Sequence, residues 1–435
     1  MNGITYTSGD TDDGRVLSPF ETFLCKLAQI CDTKKGGDTI TGMVALKGDI
    51  GPKYLFTLNN GKKMELESTK GFLEGMLTFV SINPDGLDVK PLQKKALQEI
   101  QTKSRFPRDI TAGDNPKFKF FKDCETLIKA IHFAKETGAS EGINRFASAI
   151  EAVTSHPWCE LRHYLGRLYS YRLAAETIVK ASFQWPELFR GFTVEYIPSS
   201  RRIKLPLTQP APSKMKVIQI AFPEMDLEEY IEQIEELEEH GLQDHLQDEL
   251  LRHKPLRQFV HCEVHLQDFL IGDKKTDPSQ YWNNSMFIAT SKPPCRLCHY
   301  YFNDMDNDFE VQSSHMNVYP KWRLPSIGDE QGDDAGEQQK ELLEDIIEQM
   351  QQDILRIVRE KFPQGKRNDS RTESRGLTTA MSSYEGEGSD MRSSTQWPTL
   401  AGRLSRGSDF DIRSIPERLD EDFDFRNPHG VGAAV

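Results

Sequence analysis

The sequence predicts a mixed α/β fold with a long, mostly helical middle. Three observations carry that prediction. A capped helix near the start is followed by two β-like runs. From about Glu67 to Leu250 the apolar residues recur mostly at helical spacing. Strand and helix signals then mix again from Phe259 to Pro325, a block dense in aromatics.

Taken in order, residues 1–16 read as a flexible leader. Ser18-Pro19-Phe20-Glu21 has the form of a capping box with Pro at the first helical position. Phe20, Leu24, Leu27 and Cys31 continue it as one apolar face. Thr39–Leu46 and Tyr54–Leu58 are β-like runs, and the short link between them predicts an antiparallel hairpin closed by Asn59-Asn60-Gly61. Helices are expected at Cys124–Thr137, Gly142–Thr154 and Trp158–Gln184, the last starting at Pro157. Phe192–Ile197 and Ile203–Leu205 read as a second hairpin. Between Pro223 and Leu250 stand twelve Asp or Glu and no Lys or Arg. Leu227, Ile231, Ile234 and Leu237 give that acidic helix one apolar stripe for packing, which leaves its charged face for solvent or for a basic protein partner docking on 224–250. A helix over 337–362 carries Leu343, Ile347, Met350, Ile354 and Ile357 as a short heptad seam, expected to pack on the core or to meet a protein partner. Residues 363–435 have few aliphatics and read as a disordered tail.

The composition narrows the setting. No apolar stretch is long enough to span a membrane, and the N-terminus has neither a basic nor an apolar signal region, so an intracellular protein is expected. Seven cysteines without framework spacing point to thiols or a metal rather than disulfides. A net charge of −13 disfavours nonspecific binding to duplex nucleic acid and still permits a local basic groove.

Two short motifs carry chemistry. His261-Cys262-Glu263 says little alone, but Pro294-Cys295-Arg296-Leu297-Cys298 follows with room between them for a helix, a loop and a strand. Cys295 and Cys298 at i and i+3 face the same way on the first turn of a helix, whose N-terminus favours thiolate. With His261 they make three zinc ligands and leave the fourth tetrahedral position to water, whose pKa a zinc ion lowers toward ~7. On a regular helix residues 261 and 263 would diverge, so His261 must lie at or before the helix start with Glu263 in the first turn. Glu263 would then carry the proton from that water to the substrate's ring nitrogen and departing amine. The competing readings are no metal at all, or a structural zinc closed by His265, one turn from His261, or less readily by His299. Cys262 reads as buried filler, and the Glu position does not suit a zincin protease.

These residues resemble the cytidine deaminase-like superfamily. More closely, HCEVHLQDFL (261–270), SKPPCRLCHYYF (291–302) and SHMNVYPKWRLP (314–325) resemble deaminase-like proteins found mainly in fungi and related to toxin-type deaminases of intracellular bacteria. The resemblance implies a three-layer α/β core: helix Ser18–Cys31, the first hairpin, a zinc helix at Cys262–Leu270, strand Met286–Thr290, a second zinc helix at Cys295–Phe302, and antiparallel strands at Phe309–Gln312 and Asn317–Trp322. It places Asn59 or Asn60 where a substrate-binding Asn often stands, beside the ordinary reading of an Asn-Gly turn. Ser314, His315 and Tyr319 would line the pocket, with a buried, hydrogen-bonded His315 as the alternative. The core would be discontinuous, 17–66 plus 255–362, with 67–254 inserted as a separate helical lobe; the alternative is that the Phe192–Leu205 hairpin is the core's own and the N-terminal half stands apart. The function expected is hydrolytic deamination of a nucleobase, nucleotide or single-stranded nucleic acid with zinc as cofactor. The alternative is an inactive deaminase fold that serves as a protein-binding or structural module.

Overall fold

The first helix begins at the expected capping box. The Glu21 amide donates to Ser18 Oγ at 3.2 Å, and the Ser18 amide donates to the Glu21 carboxylate at 2.8 Å. Pro19 fills the first helical position, where its missing N–H leaves no bond unmade. The computed structural model describes residues 15–34, 36–81, 127, 130, 157–205, 213–223, 227–239, 241–252, 256–303, 308–327 and 334–360. The helix expected at 142–154, the tail, residues 1–14 of the leader and all of the helix expected at 124–137 except Leu127 and Ala130 lie outside them.

In chain order, α1 is Pro19–Cys31, β1 Thr41–Lys47, β2 Pro52–Leu58, α2 Lys63–Ser81, α3 Pro157–Gln184, β3 Thr193–Tyr196 and β4 Ile203–Leu205. Then come α4 Lys214–Ala221, α5 Ile231–Glu239, α6 Leu242–Arg252, β5 Leu256–Gln258, α7 Cys262–Gly272, β6 Phe287–Thr290, α8 Arg296–Phe302, β7 Glu310–Val311 and α9 Asp334–Glu360. Five strands form one sheet in the order β3-β2-β1-β6-β7. β1 is antiparallel to both β2 and β6, while β3 and β7 join the edges in parallel. β4 and β5 make a separate two-stranded ribbon.

The period of two along the strands sorts the core into two clusters. Met43, Ala45, Tyr54, Phe56, Phe287 and Ala289 pack with α1, α2 and α3. Val44, Leu46, Leu55 and Ile288 pack with α7 and α8. The result is a mixed α/β protein in which β1, read near the N-terminus, pairs with β6 just ahead of the cysteine motif.

Several expectations change. The segment 192–205 is not a hairpin: β3 pairs with β2, and β4 turns away to β5. The link between them is held sideways instead, with the Gly61 amide on Ser199 Oγ and the Val260 amide on Ser200 Oγ. The helices between 67 and 250 do not all stand apart from the core. Leu73 and Leu77 of α2 and Ile178 and Val179 of α3 are buried in the same cluster as α1, and β3 extends the sheet. Residues 317–322 form no strand beside β7. Their backbone groups serve other partners: the Asn317 carbonyl accepts from Arg296, and Met316 takes a left-handed φ of 59° that breaks extension. Along α9 the packed stripe is Leu342, Ile346 and Met350, which shares Met350 with the expected seam and is otherwise one residue over from it. Leu343, Ile347 and Ile354 remain about 40% exposed.

Candidate metal centre

β6 ends in Ser291-Lys292-Pro293-Pro294, a run whose prolines cannot continue a ladder. It delivers Cys295 as the N-cap of α8, with Cys298 one turn on along the same face. On the other side, β5 leads through Phe259-Val260 to His261, the N-cap of α7, with Glu263 in that helix's first turn. The three ligand atoms form a nearly equilateral triangle. His261 Nδ1 lies 3.6 Å from Cys295 Sγ and 3.5 Å from Cys298 Sγ, and the sulfurs are 3.6 Å apart. A tetrahedral zinc with ordinary bond lengths needs N···S near 3.5 Å and S···S near about 3.8 Å. The three residues, all buried, could therefore hold a metal ion.

Their ionisation is arranged for a cation. Burial opposes ionisation of Cys295, but the Cys298 thiol and His261 outweigh it and lower its pKa to about 5. Burial, and then the Cys295 thiolate, push Cys298 well up. Burial pulls His261 down, yet the Cys295 thiolate and the Glu263 carboxylate raise it overall. One thiolate thus stands ready, and a divalent ion taking all three ligands displaces the remaining protons. Glu263 is buried, with Oε2 3.3 Å from Cys262 Sγ. The Cys262 thiol is itself held well up by burial and then by that carboxylate. Cys262 is wholly buried in the core, as its reading as filler implies.

The two other histidines considered as ligands are engaged elsewhere. His265 Nε2 sits 2.9 Å from the Pro198 carbonyl, and His299 Nε2 sits 3.0 Å from Asn303 Nδ2. Neither belongs to the ligand cluster.

Distant segments fix the triangle. Asn59 Oδ1 accepts the Cys262 amide at 2.8 Å, and Asn59 Nδ2 donates to the Gly37 carbonyl at 3.1 Å. Ser200 Oγ both donates to the Val260 carbonyl and accepts from the Val260 amide, each at 2.9 Å. Gly42 of β1 lets α7 come close: a Cβ there would lie 3.1 Å from the Cys262 backbone. Around the cysteine turn, Ser314 Oγ and the His315 amide donate to the Pro294 carbonyl. Arg296, between the two cysteines, donates to the Met316 carbonyl at 3.1 Å and to Asp353 of α9 at 2.9 Å. Ser200, Gly42 and Asp353 were not expected as contributors; each acts across the chain and leaves no local signature.

Of the residues expected to meet substrate, Tyr319 and His315 come near the triangle. The Tyr319 ring centroid is 6.4 Å from that of His261 and 5.6 Å from that of His315. His315 is buried, and its Nδ1 accepts the Asn317 amide at 3.0 Å. Asn59 reaches the site as the helix partner just described. Asn60 is half-buried, and its amide donates to the Asp38 carbonyl.

Residues 260–326 match the model of a family described as OTT_1508-like deaminase. The matched span contains His261, Glu263, Cys295 and Cys298, so this part of the chain is deaminase-like and the metal triangle lies within it. The strands β1 and β2 that support it lie outside the match. No match is found among curated proteins or among solved structures.

Proposed function

We propose that the chain is a zinc-dependent hydrolytic deaminase acting on a nucleobase, nucleotide or nucleic acid. The observation that carries this reading is the His261-Cys295-Cys298 triangle of zinc dimensions, with the Glu263 carboxylate buried in the adjacent first turn of α7. His261, Cys295 and Cys298 would hold zinc, which when bound supplies a Lewis acid that acidifies water. Glu263 takes a proton from the attacking water on a carboxylate oxygen and delivers it to the ring nitrogen of the amidine-type substrate. It then takes the remaining hydroxyl proton of the tetrahedral adduct and passes it to the amine, so that the C–N bond breaks, ammonia leaves and a carbonyl remains. The second N–H of Asn59 Nδ2 and the Tyr319 ring are the groups we assign to the substrate's edge and face.

Within this reading the core has three layers and is discontinuous, 17–66 with 255–362, and 67–254 is an insertion some of whose helices have been absorbed into the core. We place the protein inside the cell, in keeping with five described cysteines that are all free thiols. No described helix is long and apolar enough to cross a membrane. We group it with the toxin-type deaminase-like proteins of fungi and intracellular bacteria.

Metal analysis joined to ammonia release tests the proposal, with nucleobases, nucleosides, single-stranded DNA and RNA as substrates. The purified chain should hold about one zinc per molecule, and Cys295→Ser should lose it. Glu263→Gln should keep the zinc and the fold while turnover falls by about 10²–10⁴-fold. Full zinc occupancy in both His261→Ala and Cys295→Ser, or unchanged turnover in Glu263→Gln, would overturn it.

A further inference from the structure

The approach to α7 is lined with cations, on a chain whose net charge is −13. The β4–β5 ribbon pairs Ile203 with Gln258, Lys204 with Arg257 and Leu205 with Leu256. Lys204 and Arg257 therefore stand directly opposite each other, and like charges at facing positions repel. No ion pair among the described residues relieves either of them. Arg202 lies two residues before Lys204 and so on the same face of the ribbon. Its guanidinium sits 5.5 Å over the Phe259 ring, whose centroid is 5.3 Å from the imidazole of His261. Residues 321–323 run alongside: the Phe259 amide donates to the Lys321 carbonyl at 2.8 Å, and the Arg323 amide donates to the Phe259 carbonyl at 3.2 Å. Arg201, Arg202, Lys204, Arg257 and Lys321 are exposed. The Arg202–Asp38 pair, 2.8 Å apart with both side chains substantially in water, is weak enough to exchange for another anion.

Resting on the deaminase reading, we propose that this ribbon binds the phosphate backbone of a single-stranded nucleic acid whose base enters the metal centre. The strip of cations starts one aromatic ring away from His261 and continues outward. Arg202 and the Lys204–Arg257 pair are spaced by two residues, about 7 Å of extended chain, so successive phosphates suit them better than one phosphate does. A single strand suits the buried ligand triangle, because a stacked, paired base would first have to be flipped out of its duplex to reach it. The overall negative charge repels nucleic acid elsewhere on the surface, which confines attraction to this strip.

Fluorescence anisotropy with the full chain and a labelled mixed-sequence single strand, as DNA and as RNA, tests this across a range of salt. The wild type should bind with an affinity that falls steeply as salt rises. Lys204→Glu with Arg257→Glu should weaken binding at least tenfold and make the salt slope shallower by about one to two. Zinc content should be unchanged. Lys204→Gln with Arg257→Gln guards against a folding artefact: it removes the repulsion, so thermal stability should hold or rise while binding weakens. Lys340→Glu, at a side chain 75% exposed on α9, should bind as the wild type does. The ribbon proposal is overturned if the double variants bind normally. It is also overturned if Lys340→Glu is as impaired as they are, or if a nucleoside monophosphate competes as well as the oligonucleotide. Ammonia release, measured in parallel, separates the two readings. Salt-dependent binding lost in the double variants but without ammonia from any substrate keeps the ribbon and sinks the deaminase. Deamination of a free nucleoside with no ribbon-dependent binding does the reverse.

Discussion

His261 leads α7 as its N-cap, but its ring is turned to the two sulfurs and caps nothing. The Cys262 amide, first in the helix and buried, needs an acceptor from elsewhere. Asn59 supplies it from the end of β2 and anchors itself on Gly37. Asn59→Ala should therefore cost about 1–2 kcal/mol, read as a lower melting temperature, and zinc should be lost more readily to a chelator. If Asn59→Ala instead raises KM while stability and zinc retention stay fixed, the residue acts on substrate and not on the helix. This explains what could be read from sequence at this scale. His261, Glu263, Cys295 and Cys298 declare themselves because helix periodicity and ligand chemistry are local. The partner of Asn59 lies 203 residues away, and in sequence Asn59 is only the close of a hairpin.

At the scale of elements, α8 is too short to hold itself in place and depends on α9. Asp353 accepts from Arg296 and from the Tyr300 hydroxyl, while Arg356 holds its other oxygen at 2.9 Å. Arg296 lies between the two cysteines with its side chain only 7% exposed. Asp353→Ala would take the carboxylate from that guanidinium and leave it the Met316 carbonyl, so a loss of about 1–3 kcal/mol is expected in chemical denaturation, accompanied by weaker zinc retention. Asp353→Asn, which keeps an acceptor, should recover part of both. The same face of α9 packs Leu342, Ile346 and Met350, while Leu343, Ile347 and Ile354 of the expected seam stay exposed. Apolar spacing in the sequence announces a helix with two candidate stripes. The choice between them is made in three dimensions, by apolar packing and by the Arg296–Asp353 pair on the same helix. Residues 317–322 mislead for a related reason: they have strand-like residues, but the Asn317 carbonyl goes to Arg296 in the cysteine turn and the Lys321 carbonyl to Phe259.

Over the whole molecule, the helix, the first hairpin, the two ligand helices and β6 were legible, because each has a clear local pattern. The entry of β3 and of α3 into the core was not. β3 is a four-residue edge strand whose only strong instruction is its parallel partner β2, and nothing in a short run such as Thr193–Tyr196 names that partner. The pairing of β1 with β6 has a consequence for how the protein is made. Thr41 and Ser291, which close that ladder, are 250 residues apart. At ribosomal rates of about 5–20 residues per second, the hairpin waits roughly 12–50 s for its neighbour. Throughout that time β1 presents a bare, apolar edge, the kind that recruits other chains. A fragment ending at Leu205 should accordingly be insoluble on expression, whereas the chain through Glu360 should be soluble; a monomeric, soluble fragment would show that the edge is protected by other means. In the cell, the nascent chain should be a client of ribosome-associated chaperones until β6 has left the exit tunnel.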